Sequence, residues 1–126
     1  MKILVTGIKG QLGHDVMMEG AKRGLECIGA DIDEFDITDE RQTHDFIVNV
    51  CPDAVIHCAA YTAVDRAEDE PELCEKVNAK GTENIAKAVK EIDAKMIYIS
   101  TDYVFDGKGD APFETDSPAA PQGEYG

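Results

Sequence analysis

A glycine repeat between a strand-like run and a helical run constrains the fold more than any other feature of this chain. Gly7, Gly10 and Gly13 are spaced three residues apart. They follow the apolar segment 2–6 and open segment 11–23, where apolar residues recur at helical spacing. At such a junction the first glycine permits a tight turn, the second lets the backbone approach a pyrophosphate, and the third lets helix and strand pack closely. The repeat therefore predicts a βαβ unit that binds a dinucleotide.

Strand-like and helical runs alternate along the rest of the chain. Further strands are predicted over 25–30, 53–58 and 95–99. The alternation predicts an α/β fold, a Rossmann-like doubly wound parallel sheet with helices on both faces. We expect the spatial strand order 3-2-1-4, with the switch point between the first and fourth strands and the fourth strand at an exposed edge. A fifth and a sixth strand would normally extend such a sheet, so residues 1–126 are interpreted as one truncated NAD(P)-binding Rossmann domain.

Three helices are predicted to join these strands. The first presents four apolar residues to the interior, Leu12, Val16, Met17 and Ala21. The second has Thr38 as its N-cap and stops at Pro52, and the third runs over 71–92. From Asp106 onward, glycines and prolines exclude regular structure, as is typical of a functional lid or a disordered segment.

The charge of the chain excludes several classes of partner. A net charge of −14 argues against nucleic acid and anionic membranes, because attraction to many phosphates needs a basic patch. A helix N-terminus can still hold a single phosphate group. No stretch reaches the roughly 20 apolar residues of a membrane span, and the apolar start is too short for a signal peptide. We therefore expect a cytoplasmic protein that binds neither nucleic acid nor membrane.

The cysteines and histidines show no spacing that suits a metal ion. None of the four cysteines forms a Cys-x-x-Cys pair, and the three histidines lack a ligand pattern. We expect small buried thiols in a reducing compartment rather than disulfides, and no metal site.

Acidic residues follow the predicted second strand. Asp31 ends that strand 18 residues after Gly13, where a carboxylate accepts hydrogen bonds from the ribose hydroxyls and favours NAD over NADP. Lys9, within the glycine loop, would instead attract a 2′-phosphate, so the preference between NADH and NADPH stays open. Asp36 and Ile37 fit either the border of an adenine pocket or a turn that leads into the next helix.

Small residues end the predicted third strand. Ala59, Ala60 and Ala63 surround Tyr61 and Thr62. Small side chains there would leave room for a flat cofactor, and a strand-ending turn without a ligand explains them equally well.

Two hydroxyl side chains are the candidates for proton chemistry. Thr101 follows the predicted fourth strand, and Tyr125 stands one residue before the last. A tyrosine with its ordinary pKa near 10 is poorly matched to neutral pH, and lowering that pKa by roughly three units needs a nearby cation. A lysine one helical turn later would suit, but position 129 lies beyond this sequence. On spacing alone, Tyr125 is a loop residue and Thr101 a strand-end hydroxyl.

Five motifs occur in one order along the chain. They are Gly7-x-x-Gly10-x-x-Gly13, HCAAYTAVD at 57–65, VNAKGT at 77–82, STDYVFDG at 100–107, and Tyr125-Gly126. Together, over the whole chain, they closely resemble the dTDP-4-dehydrorhamnose reductases, which are extended short-chain dehydrogenase/reductases. The glycine motif is shared across that superfamily, whereas the Ala-Tyr-Thr and Ser-Thr-Asp-Tyr-Val-Phe segments are much more particular to these reductases.

The resemblance implies an oxidoreductase that reduces the C4 keto group of dTDP-4-dehydro-rhamnose to dTDP-rhamnose with NADH or NADPH. It implies that Tyr125 protonates the forming alkoxide while Thr101 hydrogen-bonds the reacting oxygen. The candidate cofactor contacts, counting the glycine loop and strand end, are Gly7, Gly10, Gln11, Leu12, Gly13, Asp31, Asp36, Ile37, Ala59, Ala60, Tyr61 and Thr62. The candidate substrate contacts are Thr101, Asp102, Val64 and Tyr103.

The chain departs from the family pattern near its end. The family motif continues to a lysine four residues after the tyrosine and then to a carboxyl-terminal substrate domain, and neither is in this sequence. We therefore expect a cofactor-binding N-terminal fragment that is inactive alone. The family's usual asparagine two residues before the tyrosine is Gly123 here, which loosens the loop. The expected partner is a dTDP-sugar, and a homodimer stays open.

Two other functions stay open. One is another nucleotide-sugar enzyme of the superfamily, an epimerase or a 4,6-dehydratase, although those typically carry a Ser-Ser or Ser-Thr run and then Val-Tyr-Gly. The other is a non-catalytic nucleotide-sensing or regulatory subunit, which the missing lysine and substrate domain would suit.

Overall fold

Four short parallel strands form the sheet on which the other elements pack. The computed structural model describes all of residues 1–126, and its strands are β1 (Lys2–Thr6), β2 (Glu26–Ala30), β3 (Ala54–His57) and β4 (Lys95–Tyr98). All pairings are parallel. The predicted α/β fold class and the existence of all four strands are confirmed, with strand ends that differ by one residue at most.

The predicted strand order is wrong. The observed order is β2-β1-β3-β4, so that β3 pairs with β1 on the side opposite β2. The burial of β3 explains this, because Val55 and His57 are almost fully buried, which favours a central place over an edge. The residue before β3 is also tied to the start of β1, since Lys2 N donates to Asp53 Oδ2 at 2.6 Å. The switch point therefore lies between β1 and β3, and not between the first and fourth strands.

The helices connect these strands. They are α1 (Gln11–Lys22), α2 (Glu40–Val50), α3 (Val64–Ala67), α4 (Pro71–Glu75) and α5 (Thr82–Glu91), with a π-helical turn over Lys76–Gly81. Helical backbone continues from α4 through the π turn into α5, which confirms the predicted helix over 71–92. The N-cap of α2 is Asp39 and not Thr38, because the Asp39 carboxylate accepts from Gln42 N at 3.0 Å.

Helices α2 and α5 cover one face of the sheet. In the strand register Leu4, Ile28, Val55 and Met96 stand side by side on this face. Leu4 and Val55 are fully buried against residues of the two helices, among them Ile47 of α2 and Ile85 of α5. These contacts form the main apolar core of the chain.

Helix α1 covers the opposite face, so helices lie on both faces as predicted. It packs through Gly20, where a Cβ would collide with the Cys27 Sγ, and through Met17, which contacts Gly29 of β2. Leu12 was expected to face inward, but it is 44% exposed, and Ala21 is exposed as well. The face of α1 that carries the small residues packs on the sheet, because small side chains let the helix approach the strands most closely.

Strand β4 is an exposed edge, as predicted. Ile97 is 55% exposed and Tyr98 is 50% exposed. A short 3₁₀ turn, Asp102–Val104, follows β4. Residues 105–126 contain no helix or strand, which confirms the prediction that the chain has no regular structure from Asp106 onward. None of the helices combines the length and the apolar character that crossing a membrane requires.

Candidate functional site

A cavity of about 420 Å³ lies beyond the carboxyl ends of β1, β2 and β3. This is the edge of an open parallel sheet at which ligands bind. Seven of the predicted cofactor residues line it, namely Gly7, Gly10, Asp31, Asp36, Ile37, Ala59 and Ala60. Five others do not, namely Gln11, Leu12, Gly13, Tyr61 and Thr62. The other residues of its wall are Thr6, Lys9, Ala30, Ile32, Phe35, Thr38, Cys58 and Val77.

The three glycines of the loop have three different surroundings. Gly7 has a φ of +73°, and a Cβ there would lie 2.6 Å from Ala59 N, so the turn and the neighbouring loop both require glycine. At Gly13 a Cβ would collide with the Gly7 carbonyl oxygen, so this glycine packs α1 against the loop itself. At Gly10 the nearest protein atom to a Cβ is the Gly7 oxygen, 3.3 Å away. The space beside Gly10 is therefore open toward the cavity.

The N-terminus of α1 faces this open space with unpaired donors. Gly10 is the N-cap and has no side chain to accept from the first turn, which also contains no acidic residue. The first backbone donor that is paired is His14 N, which donates to the Gly10 carbonyl at 3.0 Å. The N–H groups of Gln11, Leu12 and Gly13 are thus free to bind an anion. Gln11 and Leu12 can contribute backbone donors although their side chains lie outside the cavity.

Asp31 fastens the glycine loop to the end of β2. Its Oδ2 accepts from Lys9 N at 2.9 Å, and its Oδ1 accepts from Ile32 N at 2.9 Å. Each carboxylate oxygen retains a second acceptor position for a ligand hydroxyl. The Lys9 ammonium pairs with Asp33, and this hydrogen bond raises the pKa of Lys9. A carboxylate and a cation therefore lie together at the rim of the cavity.

Asp36 and Ile37 belong both to the cavity wall and to the turn before α2. Within that turn the Asp36 Oδ1 accepts from Thr38 N at 2.8 Å. The Ile37 side chain packs against Gly81 of the π turn, where a Cβ would lie 2.9 Å from it. Glycine at 81 thus permits contact with this loop.

The loop after β3 forms the opposite wall. Ala59 and Ala60 line the cavity, whereas the Tyr61 phenol points elsewhere and donates to Glu70 Oε2 at 2.6 Å. This hydrogen bond raises the pKa of Tyr61 and lowers that of Glu70. The backbone of Tyr61 is held by the Asn78 side chain, which accepts from Tyr61 N at 2.7 Å and donates to Tyr61 O at 2.9 Å.

Sequence reasoning missed the polar residues beneath this loop. His57 is 1% exposed, and its ring contacts the hydroxyls of Thr6 and Thr82. Burial lowers the pKa of His57 to about 4, so the ring is neutral at physiological pH. One signal was available, since a histidine two residues after an apolar strand residue lies on the same strand face, and if that face is buried the ring needs polar partners.

A second cavity, of about 440 Å³, lies between α3 and the segment after β4. Three of the predicted substrate residues line it, namely Val64, Asp102 and Tyr103. Thr101 does not, and instead caps the 3₁₀ turn, because its hydroxyl oxygen accepts from Tyr103 N at 3.3 Å. Four carboxylates and no basic residue line this cavity.

The two predicted catalytic hydroxyls are joined through a third residue. The Tyr125 ring packs edge-to-face on the Tyr103 ring, with centroids 5.5 Å apart, and Thr101 holds the amide of that same Tyr103. The fold thereby brings Tyr125 and Thr101 against the same residue, Tyr103, although neither of them lines the second cavity.

The family model described as the RmlD substrate binding domain matches residues 1–126. The chain belongs to this family. Among relatives of the RmlD family, a dTDP-4-dehydrorhamnose reductase of Mycolicibacterium smegmatis is 44% identical over 99% of this chain. The match covers 38% of that protein, so this chain spans about two fifths of the length of its curated relative.

Solved structures of RmlD-type proteins have the same fold. A dTDP-4-dehydrorhamnose reductase from Clostridium acetobutylicum superposes with a TM-score of 0.96 at 40% identity, over 99% of this chain and 45% of that one. One from Bacillus anthracis, in complex with NADP, gives 0.95 at 37% identity, over 98% of this chain and 44% of that one. The likeness confirms the Rossmann-like fold and the family resemblance predicted from the five motifs.

Proposed function

We propose that this chain is the cofactor-binding N-terminal part of an NAD(P)H-dependent dTDP-4-dehydrorhamnose reductase, whose substrate domain lies outside residues 1–126. The observation that carries the proposal is the open space beside Gly10, which faces the unpaired N–H groups of α1. A helix N-terminus of this kind binds the pyrophosphate of a dinucleotide. The NADP bound by the Bacillus anthracis relative supports the same ligand class here.

The cavity wall suits the rest of such a dinucleotide. Asp31 would accept from the adenosine ribose, and Lys9 would reach a 2′-phosphate once it leaves Asp33, so both NADH and NADPH fit. Ile32, Phe35 and Ile37 offer an apolar border for adenine. When bound, the cofactor supplies the hydride for a carbonyl reduction.

The residues after β4 would act on the sugar. In the proposed reductase Tyr125 donates a proton to the forming alkoxide, and Thr101 donates a hydrogen bond to the same oxygen. Val64, Asp102 and Tyr103 would contact the substrate from the second cavity. Because that cavity has no basic residue, we expect it to take the sugar of the dTDP-sugar rather than its diphosphate.

Two glycine variants test whether the space beside Gly10 is the pyrophosphate site. Gly10→Ala adds a methyl group that the protein accommodates with a small adjustment, but the methyl occupies the space proposed for the pyrophosphate. We expect it to weaken NADH and NADPH binding at least about tenfold, by calorimetric titration, with a much smaller fall in melting temperature than Gly13→Ala causes. Gly13→Ala is the contrast, because its methyl collides with the Gly7 backbone and should lower the melting temperature.

Two outcomes would overturn the proposal. One is a folded wild-type chain that binds neither NADH nor NADPH saturably. The other is full affinity in Gly10→Ala. Rapid reduction of dTDP-4-dehydro-rhamnose by residues 1–126 alone, followed as loss of NADH absorbance, would contradict the expectation that this part is inactive without the substrate domain.

A further inference from the structure

A chain of side-chain hydrogen bonds runs beneath the loop that follows β3. The Thr6 hydroxyl lies 2.7 Å from His57 Nδ1, and His57 Nε2 lies 3.1 Å from the Thr82 hydroxyl. Thr82 in turn donates to the Asn78 carbonyl at 2.6 Å. The proposed reduction uses none of His57, Thr82 and Asn78, so the network needs a separate explanation.

The direction of each hydrogen bond follows from its partners. The Thr82 proton is committed to the Asn78 carbonyl, so the Thr82 oxygen must accept from His57 Nε2–H. In the neutral ring Nδ1 then has no proton, and it accepts from the Thr6 hydroxyl. The Thr6 oxygen is left to accept from Ala59 N, at 3.4 Å. The network therefore has one consistent order, from Ala59 N through to the Asn78 carbonyl.

Both ends of this network hold the cavity wall. At one end Thr6 accepts from Ala59 N, and at the other the Asn78 side chain makes two hydrogen bonds to the Tyr61 backbone. The loop fixed in this way faces the glycine loop closely, since a Cβ on Gly7 would lie 2.6 Å from Ala59 N. A shift of the loop would therefore change the shape of the cavity directly.

The π turn places the last two members of the network. Asn78 lies within Lys76–Gly81, and Thr82 follows that turn as the first residue of α5. Such single π turns are rare and occur frequently at functional sites. Within this turn the Asn78 side chain accepts from Tyr61 N, and the Asn78 carbonyl accepts from the Thr82 hydroxyl four residues later.

We propose that His57 and Thr82 are positioning residues, which act through Thr6 and Asn78 to hold the Ala59–Tyr61 loop where the dinucleotide requires it. The inference rests on the proposed function, because the ligand of the cavity is the one proposed above. A positioning role differs from a merely stabilising role in what controls the affinity for the dinucleotide. In a positioning role the geometry of the loop controls it, and the stability of the fold does not.

A matched pair of variants at Thr82 tests this, because Thr82 does not line the cavity. Thr82→Val keeps the shape and removes the hydroxyl, which takes the acceptor away from His57 Nε2–H and one donor away from the Asn78 carbonyl. Thr82→Ser keeps the hydroxyl. We expect Thr82→Val to weaken NADPH binding about tenfold, the scale of one lost buried hydrogen bond, and Thr82→Ser to stay within about twofold of the wild type.

Ile85→Val controls for stability. Ile85 is a fully buried core residue of the same helix and has no part in the network. We expect it to lower the melting temperature as much as Thr82→Val does, at an unchanged affinity for NADPH. If Ile85→Val weakens binding equally, the network only stabilises the fold and the proposal fails.

Nuclear magnetic resonance gives a readout that does not depend on the ligand. The ¹⁵N shifts of His57 should show the neutral ring with its proton on Nε2 in the wild type and in Thr82→Ser. In Thr82→Val we expect this signature to change, and the Tyr61 and Ala59 amides to exchange faster with solvent. Unchanged amides together with unchanged affinity in Thr82→Val would overturn the proposal. A wild type that binds no dinucleotide would instead refute the proposed function, while the amide data still show whether the network holds the loop.

Discussion

The two cavities of this chain are built in different ways. The first is enclosed by backbone that is fixed from within, through positions without room for a Cβ and through the hydrogen bond from Ala59 N to the buried Thr6 hydroxyl. The second is bordered by the segment after β4, where Tyr103 is 52% exposed and residues 105–126 contain no helix or strand. A few contacts hold that segment, among them Ala120 N to the Val104 carbonyl at 2.8 Å.

The difference teaches how binding and chemistry are divided in the proposed reductase. A site whose walls are fixed before the ligand arrives loses little affinity to the ordering of loops. The first cavity has this property, and the second does not. Cofactor binding should therefore depend on the interior of residues 1–126, and the proton chemistry of Tyr125 on what surrounds the exposed segment.

The largest expected effect is a loss of stability at Gly7, and Gly107, which also has a positive φ, is the comparison. Gly7 and Gly107 have φ values of +73° and +68°, but only Gly7 has neighbours where a Cβ would stand. We expect Gly7→Ala to lower the free energy of unfolding by about 3 kcal/mol, from the strained backbone and the collision together, and Gly107→Ala by about 1 kcal/mol. Urea denaturation measures both. Equal losses would mean that the two regions are equally fixed.

The next effect is the pH dependence caused by His57. Burial lowers the pKa of His57 from 6.5 to about 4, so its contribution to stability is complete above the unfolded pKa and is lost as the pH falls toward 4. Between pH 6.5 and 5 we expect the free energy of unfolding to fall by about 1.5 kcal/mol. Urea denaturation over this window, above the range where most carboxylates titrate, would reveal a flat profile if the ring were exposed.

A smaller effect of opposite sign is expected from the partly exposed His44. Its hydrogen bonds to Asp45 and Glu91 raise the pKa of His44, so its contribution is complete below the unfolded pKa near 6.5 and is lost as the pH rises through the higher folded pKa. The melting temperature of His44→Gln should therefore differ from the wild type more at pH 6 than at pH 8.5. Salt should reduce this difference, since the groups are exposed.

The smallest effect is expected from Tyr125→Phe. The ring still packs on Tyr103, and neither residue lines the first cavity. Calorimetric titration with NADPH should give an affinity within about twofold of the wild type. A larger loss would show that the segment after β4 contributes to the first cavity after all, and would contradict the division between the two regions.

Much of the fold was predictable because local patterns repeat. Apolar runs located the four strands, helical spacing located α1, α2 and the helix over 71–92, and the glycine repeat located the first cavity. The inward face of α1 was not predictable, since the helix packs through its glycines and leaves Leu12 44% exposed. The N-cap of α2 was misplaced by one residue because Thr38 and Asp39 are both good caps, and only the hydrogen bond to Gln42 decides between them.

For the site, the sequence identified candidate residues, but not where their side chains point or which groups they bond. Asp31 was expected at the end of β2, but its hydrogen bond to Lys9 N depends on how the glycine loop folds back. Tyr61 belongs to a motif predicted to contact the cofactor, yet its phenol is bonded to Glu70. The network of His57 and Thr82 joins residues 25 positions apart, a distance at which no periodic pattern operates.

The sequence by itself determined the alternation of strands and helices, the glycine turn and the family, because each depends on residues that are neighbours along the chain. Only the tertiary structure decided the order β2-β1-β3-β4 and which polar groups meet beneath the loop after β3. The physical reason is that strand order depends on how much apolar surface each arrangement buries in total. That quantity belongs to the packed molecule and to no single segment of it.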